Sequence, residues 1–563
     1  MTSEATPLRL EAAEPDADGA GSVPRHRLGR LLYGSFLYRL TLMGRAPDAL
    51  AVTPVPVRLG DAGRGNAILR GTFPMPGNAL PARAEGWFPE DADTATLAVL
   101  HGFAWLGDLR AAGGEAAVHR GRDLLRDWLD AADRWHPVAW RADVLGLRLA
   151  AWLTHFDFFL SSADRDLHAA VLASLARQAR HLGRVAGRTW TVRGHAGPIP
   201  RLLVAKGLLF AGVCLPGEER LEAQGERLLE SALAEQLLPD GGHVQRDPAR
   251  HAEVLGHLVD LRAMLAAAHR ESAGRVQQAV DSMAPILRLL RHGDSGLALF
   301  NGADEGDTAA TDALLGQCGT AGTTPLQAPQ SGFQRLGARK TTVLLDAGPP
   351  PPPGADTHAH AGPLAFEMSV GPYRLVVNCG ARPGAEAAWR DLMRGTAAHS
   401  TVTVADTNAA EVLPGGGLGR RPKEVPCERN EEDGNTWLEA SHDGYRDNLG
   451  IVHQRRLYLA ADGSDLRGED TLFGPAGHPF SVRFHLHPSV QASMVQSGGA
   501  VLLRLPNGQG WRLHGAGGKL SLEESIYLGR PGTVRHTLQV VLAGTTRADE
   551  TVVKWRIGRV GRR

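Results

Sequence analysis

Two histidines, His358 and His360, stand one residue apart just before a run of alternating apolar and polar residues that starts at Leu364. In an extended chain, side chains two positions apart point to the same face, so these two imidazoles share one face. A third histidine, His399, precedes another run of this kind. Zinc takes imidazole and oxygen ligands, so two histidines on one strand and a third from a neighbouring strand can form a metal site. The alternative is a surface histidine pair in a loop rich in glycine and proline.

A second polar cluster runs from Asp240 to His251, between two segments with helical periodicity. Asp247 is a good helix N-cap and Pro248 suits the first helical position, so both residues have a structural explanation. The Gly-Gly-His sequence that ends at His243 has no such explanation, and ionisable groups crowd around it. This cluster is therefore a candidate site, with a well-capped loop that carries solvated charges as the alternative.

Two further polar clusters lie in the part of the chain with strand periodicity. The first runs from Ser441 to Tyr445 and contains a histidine and an aspartate. The second places Arg483, His485 and His487 on one face of a strand, because side chains alternate between the two faces. A polar sheet face in contact with water is the alternative for this cluster, and it is the interpretation that we favour for His487.

The composition excludes several classes of function. Among the 563 residues, 61 Lys and Arg balance 61 Asp and Glu, which removes the electrostatic reason to expect nucleic acid or a polybasic contact with a membrane surface. No apolar run is long enough to predict a transmembrane segment. The four cysteines form no CxxC pair, so a cysteine-based zinc or redox motif is not expected. The N-terminus lacks the features of a signal peptide, which predicts a cytoplasmic protein.

The elements that must position these clusters change along the chain. Residues 1–25 are predicted to be a disordered tail, and residues 26–90 a lead-in segment with short β-like runs such as Ala67 to Phe73. Helical spacing then governs residues 91–300, where successive helices fit either a solenoid or an α/α toroid. From 325 to 563 the period switches to two, and many short strands with turn residues fit an antiparallel sandwich or barrel. The clearest predicted helices cover residues 167–185, 200–213, 218–236, 249–269 and 276–290.

Three of these stretches occur in a fairly specific order: His358-Ala359-His360-Ala361, then Val376-Val377-Asn378-Cys379-Gly380, then Thr396-Ala397-Ala398-His399-Ser400-Thr401. In this order they resemble the heparinase II/III-like polysaccharide lyases, in an uncharacterised bacterial branch. The loop Asp240-Gly241-Gly242-His243 matches the family more weakly. The resemblance covers most of the chain. It implies a multidomain α and β fold, in which an N-terminal α/α toroid (an incomplete helical barrel) precedes a C-terminal antiparallel β-sandwich.

The resemblance implies a carbon–oxygen lyase that cleaves an acidic, uronic-acid-containing polysaccharide, similar to a glycosaminoglycan, by β-elimination. This chemistry neutralises the sugar carboxylate, removes the neighbouring proton with a base and protonates the leaving oxygen with an acid. His358 matches the catalytic histidine of the family. His360, Asn378 and His399 match its zinc ligands, so Zn²⁺ is a candidate cofactor. Asparagine stands here where that type has aspartate, and it brings no charge to a metal.

The helical domain departs from the family at the residues that do this chemistry. Tyrosine is absent between Tyr38 and Tyr373, and asparagine is absent between Asn78 and Asn301. The helices therefore supply neither the tyrosine nor the asparagine that the family uses.

Other residues can replace the missing groups. Arg246 or Arg250 can neutralise a carboxylate, because a guanidinium binds it bidentately, and Arg483 is a further candidate for substrate binding. The base can then be a histidine, which needs no large pKa shift at neutral pH, or a tyrosine, with His358 as its acid partner. The candidates for this base are His243, His251 and Tyr445.

Three hypotheses are open. The first is a polysaccharide lyase that acts in the cleft between toroid and β-sandwich. The second is a non-catalytic glycan-binding or envelope-assembly protein on the same scaffold. The third is an inverting glycoside hydrolase with Asp240 and Asp247 as its two carboxylates. By the resemblance, the periplasm or cell envelope is the alternative to the cytoplasm, and the sequence leaves the oligomeric state open.

Overall fold

A computed structural model describes residues 31–75, 79–82, 84–90, 92–187, 198–319, 322–381, 387–530 and 533–561. The predicted disordered tail, residues 1–25, lies outside the described residues. No helix in the described part of the chain is both long and apolar enough to cross a membrane. The α-helices of four residues or more are Phe36–Leu42, Ala62–Leu69, Thr94–Gly102, Trp105–Ala112, Gly114–Ala132, Ala142–Thr154, Phe156–Leu160, Arg165–Val185, Ile199–Cys214, Arg220–Gln236, Pro248–Ala267, Ser272–Leu289, Thr308–Gln317, Ala387–Arg394 and Arg446–Leu449.

The helical domain forms because amphipathic helices close around one apolar helix. Helix Ile199–Cys214 is buried along almost its whole length, which fits its nearly continuous apolar sequence. It packs against Ala142–Thr154 on one side and Arg220–Gln236 on the other. The long helices agree with the predicted ones to within a few residues at their ends. One local prediction is wrong: Ala67 begins no strand, because Asp61 caps a helix over Ala62–Leu69.

The C-terminal half contains two antiparallel sheets, as predicted. The nine-stranded sheet contains Gln327–Ala328, Phe333–Ala338, Thr341–Asp346, Phe366–Val370, Tyr373–Val377, Val402–Val404, Pro479–Leu486, Lys519–Tyr527 and Arg535–Thr545. The eight-stranded sheet contains Cys427–Glu432, Asn435–Tyr445, Ile451–Leu459, Asp465–Gly474, Gln491–Val495, Ala500–Arg504, Gly510–Ala516 and Asp549–Arg559. A separate hairpin pairs Thr72–Pro74 with Ala79–Pro81.

The two large sheets face each other across an apolar core. The rings of Phe366 and Trp555 stack at 5.4 Å between centroids, and one ring comes from each sheet. Beside them, Asp470 accepts a hydrogen bond from Trp555 Nε1 at 2.8 Å and forms an ion pair with Arg455 at 2.7 Å. Both charged groups are buried, and each offsets the other's desolvation. The sandwich is thus a rigid support for residues at its edge.

Polar contacts join the sandwich to the helical domain. The buried guanidinium of Arg246 forms an ion pair with Asp346, and Asp240 Oδ2 accepts a hydrogen bond from the backbone N–H of Ser331 at 2.7 Å. A further buried pair, His292 with Glu367, has its atoms 2.8 Å apart. The loop that begins at Asp240 therefore docks on the sandwich, and the cleft lies beside this junction.

Candidate functional site

A cleft of about 990 Å³ separates the helical domain from the β-sandwich. Charged side chains enter it from the helices, and histidines and an aromatic residue enter it from the sandwich. The residues that matter for its chemistry are Arg141, Asp143, Arg201, Glu235, Asp247, Arg250, Glu253, Gly302, Asp304, His358, His360, Trp389 and Arg394.

Asp247 stands at the start of helix Pro248–Ala267, where the cleft meets the junction. Its Oδ1 accepts hydrogen bonds from the backbone N–H groups of Ala249 at 2.8 Å and Arg250 at 3.2 Å, which confirms the predicted N-cap. Burial raises the pKa of this carboxyl to about 7, although Arg250 and the capping bonds act in the opposite direction. A carboxyl group with such a pKa is partly protonated near neutral pH and can exchange a proton with a ligand.

The arginines that the helical domain brings to the cleft are paired with carboxylates. Arg250 Nη1 lies 2.6 Å from Glu253 Oε2, one helical turn along the same helix. Arg141 Nε lies 2.6 Å from Asp143 Oδ1, and Arg201 forms an ion pair with Glu235. These guanidinium groups therefore carry little uncompensated charge into the cleft.

His358 and Asp247 face each other across Gly302. A side chain added at Gly302 would place its Cβ 3.4 Å from the Cβ of His358 and 3.5 Å from Oδ2 of Asp247. Gly302 also has φ of 101°, a conformation that favours glycine. This glycine therefore lies between the Cβ of His358 and the carboxyl group of Asp247 at the cleft wall.

The predicted zinc ligands are only partly brought together. His360 Nδ1 lies 2.9 Å from His399 Nε2, and His399 Nδ1 lies 2.8 Å from the carbonyl oxygen of Gly395. A carbonyl oxygen only accepts hydrogen bonds, so Nδ1 of His399 carries the proton of the neutral ring. Nε2 of His399 therefore accepts the hydrogen bond that the Nδ1–H of His360 donates. Burial lowers the pKa of His360 well below its usual value, and that of His399 to about 4, consistent with neutral rings.

The third predicted ligand, Asn378, is turned to the backbone: its Oδ1 accepts a hydrogen bond from the N–H of Ser400 at 2.9 Å. In the described part of the chain, no three His, Cys, Asp or Glu side chains are arranged to hold a metal ion. The donors as arranged do not fit zinc, because the facing nitrogens of the two histidines bond to each other. Zinc binding stays a prediction, and no step proposed for this cleft depends on a metal.

The two histidines proposed to replace the tyrosine, His243 and His251, lie beneath the cleft wall. Both side chains are buried, and neither lines the cleft. His251 Nε2 lies 2.9 Å from the carbonyl oxygen of Met283, and His243 Nε2 lies 3.4 Å from Gln236 Oε1. Burial lowers the pKa of His243 to about 3 and that of His251 to about 4. In these positions the two rings contribute to packing. Because neither ring reaches the cleft, the geometry does not support a role as the base.

Three other candidates also lie outside the cleft. Arg246 is committed to the junction, where its guanidinium binds Asp346 and the carbonyl oxygen of Ser331. Tyr445 is fully buried in the sandwich core, and its hydroxyl donates to the carbonyl oxygen of Val402 at 2.8 Å. Arg483 lies on strand Pro479–Leu486 and does not line the cleft. The structure gives these three side chains structural places, and their predicted roles in binding and catalysis stay predictions without support from the geometry of the cleft.

Asp240, offered as one carboxylate of a glycosidase pair, is likewise committed to the junction through Ser331. The cleft instead contains residues that the sequence patterns did not single out. Trp389, on helix Ala387–Arg394, lines the cleft and is 41% exposed, and a tryptophan directly before two charged residues was the available signal. Asp304 lies in the connection between helices Ser272–Leu289 and Thr308–Gln317, and burial raises the pKa of its carboxyl.

Residues 320–556 match the family described as Heparinase II/III-like, C-terminal. FtsZ-localized protein C of Caulobacter vibrioides is 32% identical over 567 residues, which cover 96% of this chain and 95% of that protein.

Among solved structures, heparinase III superposes with a TM-score of 0.70 at 14% identity, over 97% of this chain and 92% of that one. The heparan sulfate lyase HepC from Pedobacter heparinus superposes with a TM-score of 0.60 at 17% identity, over 96% and 90% of the two chains. These likenesses confirm the predicted toroid followed by a β-sandwich.

Proposed function

Because this chain belongs to the heparinase II/III-like family, and to the same branch as FtsZ-localized protein C, we propose that it is a glycan-binding protein of the cell envelope that co-localises with the cell-division protein FtsZ. In this proposal the cleft holds a glycan chain without cleaving it. Similarity along nearly the whole of both sequences supports a shared role, because it extends over the helical domain as well as the sandwich.

The proposal rests on the side of the cleft that the helical domain forms, here called the helical wall. Its histidine candidates for the base, His243 and His251, are buried behind the wall, and its arginines are paired with carboxylates. Elimination needs an available base and an uncompensated cation that neutralises the uronate. The described residues of the helical domain bring to the cleft neither a histidine nor an arginine without a carboxylate partner, whereas a large groove with an exposed tryptophan is suited to binding a sugar chain.

The pairing of the arginines also bears on the kind of glycan. Arg141, Arg201 and Arg250 each have a carboxylate partner, so on the helical wall a densely sulfated chain would find little free positive charge and several carboxylates. A glycan with isolated carboxylates and apolar sugar faces fits this cleft better. We therefore expect an acidic polysaccharide of low charge density as its ligand.

Replacing Trp389 with alanine is expected to lower the affinity for the glycan about tenfold, because the indole ring offers a stacking surface worth roughly 1–1.5 kcal/mol. Affinity electrophoresis over hyaluronan, polygalacturonate, chitin oligosaccharides and heparan sulfate measures this. Leu392→Ala is the matched control: it lies on the same helix, is 65% exposed and does not line the cleft. Equal affinity of Trp389→Ala and wild type would contradict binding in the cleft.

The other half of the proposal concerns localisation. A fluorescent fusion of the full chain is expected to coincide with FtsZ in dividing cells. A signal spread evenly through the cells, with the fusion still binding glycan, would leave the cleft proposal standing and remove the link to FtsZ.

Elimination by an altered set of residues is the second candidate function. It is favoured by the approach of His358 to Asp247, whose carboxyl group has a pKa of about 7. In that reaction, Arg250 would leave Glu253 to bind the uronate, His358 would take the proton next to the carboxylate, and protonated Asp247 would give a proton to the leaving glycosidic oxygen.

An absorbance assay for the unsaturated uronate product separates the two functions. We expect wild type and His358→Ala to give the same flat trace with each acidic polysaccharide, because the cleft binds without cleaving. Product formed by wild type and abolished in His358→Ala would establish the lyase instead. Asp247→Asn should then also lose activity, because the amide cannot donate the acidic proton.

A further inference from the structure

The eight-stranded sheet has an open outer face on the side of the sandwich turned away from the helices. The nine-stranded sheet occupies the other side, where Phe333 and Leu344 pack against the end of helix Ser272–Leu289. A groove of about 890 Å³ runs across six strands of the open face. Two rows of cross-strand neighbours form its floor.

The first row, here called the aromatic row, consists of Trp437, Tyr458, Arg467, Arg556 and His514 on successive strands. The ring centroids of Trp437 and Tyr458 are 5.1 Å apart, and Trp437 is 37% exposed. The guanidinium of Arg467 lies 5.4 Å from the centroid of the Tyr458 ring. The row is therefore a continuous platform of two aromatic rings and two guanidinium groups.

The two arginines of this row are an unusual pair. Arg467 and Arg556 are directly opposite each other in the register, where like charges repel. Both bind the same carboxylate, Asp465, at 2.8 and 2.6 Å, while their side chains stay 59% and 55% exposed. One carboxylate between two guanidinium groups leaves a net positive charge in this row, so an anionic ligand would relieve the repulsion.

The second row differs because its carboxylates, Glu428, Glu439 and Glu469, outnumber its cations, Arg456 and Lys554. Arg456 lies 2.7 Å from Glu439 and 3.3 Å from Glu469, and Lys554 lies 3.1 Å from Glu469. From Glu439 to Lys554 the signs of the charges alternate, which is what a solvated sheet face requires by itself. The contrast singles out the aromatic row as the part of this face that lacks a partner.

We propose that the aromatic row is a second binding site, which takes a chain of acidic sugars. The apolar faces of sugar rings stack on Trp437 and Tyr458, and a carboxylate of the chain binds the guanidinium of Arg556 or Arg467. Neighbouring strands are about 4.8 Å apart, close to the length of one sugar ring, so successive rings meet successive strands. An acidic peptide fits less well, because extended peptides pair with the edge of a sheet and not with its face.

This site is separate from the cleft and goes beyond the proposed function. Two sites on opposite sides of one chain bind a polymer more tightly than either alone, provided that the polymer can reach both. The protein would then hold one glycan in its cleft while its outer face contacts an acidic glycan.

Titration calorimetry of the full chain with oligogalacturonate tests the proposal. Trp437→Ala and Arg556→Gln are each expected to weaken binding about fivefold to tenfold. Arg456→Gln, in the second row, is the matched control and is expected to bind like wild type. Unchanged affinity of Trp437→Ala would overturn the proposal.

Two further titrations distinguish a glycan site on the outer face from attraction by charge alone and from binding in the cleft. Polyglutamate that binds as tightly as oligogalacturonate, with no dependence on Trp437, would overturn a glycan site in favour of attraction by charge. Trp389→Ala reports on the cleft in the same titration. If Trp389→Ala lowers the affinity and Trp437→Ala does not, the result contradicts the outer site alone. If Trp437→Ala lowers the affinity and Trp389→Ala does not, the result contradicts binding in the cleft alone.

Discussion

Replacing Arg246 with alanine is expected to lower the free energy of unfolding by about 3–5 kcal/mol, the usual cost of removing one partner of a buried ion pair. The carboxylate of Asp346 would stay buried at the junction without its cation, because the side chains of the pair are only 5% and 8% exposed. The carbonyl oxygens of Ser331 and Pro349 would also lose the hydrogen bonds at 2.7 and 2.8 Å that Arg246 donates. Urea denaturation followed by tryptophan fluorescence measures the loss.

Arg250→Ala is the control four residues along the chain. Its guanidinium is 42% exposed and pairs with Glu253 one turn away, so its loss is expected to cost less than about 1 kcal/mol. Removing both junction charges, as Arg246→Met with Asp346→Leu, is expected to recover much of the stability, since no charge is then buried alone. A stable Arg246→Ala that binds glycan weakly would reverse the assignment and return this residue to substrate binding.

The helices of this protein could be predicted closely because their signals are local. Asp247 and Pro248 mark the start of one helix in the sequence, and the structure has the cap and the helix there. The strands of the sandwich follow from alternation in the same way. These features depend on residues a few positions apart, so they can be predicted without knowing how distant parts of the chain pack.

The position of the side chains in the cleft could not be predicted in this way. His243 and His251 are buried because the loop that begins at Asp240 docks on Ser331, 91 residues along the chain. His358 and His360 both line the cleft, but they lie in a loop and not in a strand, and only His360 is buried, with its ring bonded to His399. Contacts between distant parts of the chain decide which histidine is exposed, and this cannot be predicted from the spacing of residues within a strand.

The pairing of charges is a second long-range feature. Arg246 and Arg250 look equivalent in the sequence, yet one binds Asp346, 100 residues away, and the other binds Glu253 on its own helix. As residue types, Arg246 and Arg250 therefore suit a site that binds a carboxylate. In the structure, however, each guanidinium is already paired with a carboxylate of the protein. This difference moves the proposal from cleavage towards binding.

The stability of the protein is expected to fall steeply as the pH drops from 6.5 to 5. Burial lowers the pKa of many described histidines, and a histidine that is neutral in the folded chain takes up a proton when the chain unfolds below its ordinary pKa of about 6.5. The unfolded state then binds more protons, so acid favours unfolding. The pKa is lowered to about 3 or 4 at His101, His155, His181, His243, His251, His399 and His485.

Each proton taken up on unfolding changes the free energy of unfolding by about 1.4 kcal/mol per pH unit, so three such histidines already give a slope of about 4 kcal/mol per pH unit. Asp247 opposes this by one proton, because its raised pKa lets the folded chain bind a proton below pH 7. Urea titrations between pH 7.5 and 5 measure the slope. His243→Gln should reduce it by about one proton, or about 1.4 kcal/mol per pH unit, while His119→Gln, at a side chain that is 67% exposed, should leave it unchanged. A free energy of unfolding that stays constant over this range would mean that the buried histidines gain their protons inside the folded chain, and the packing roles assigned to His243 and His251 would then fail.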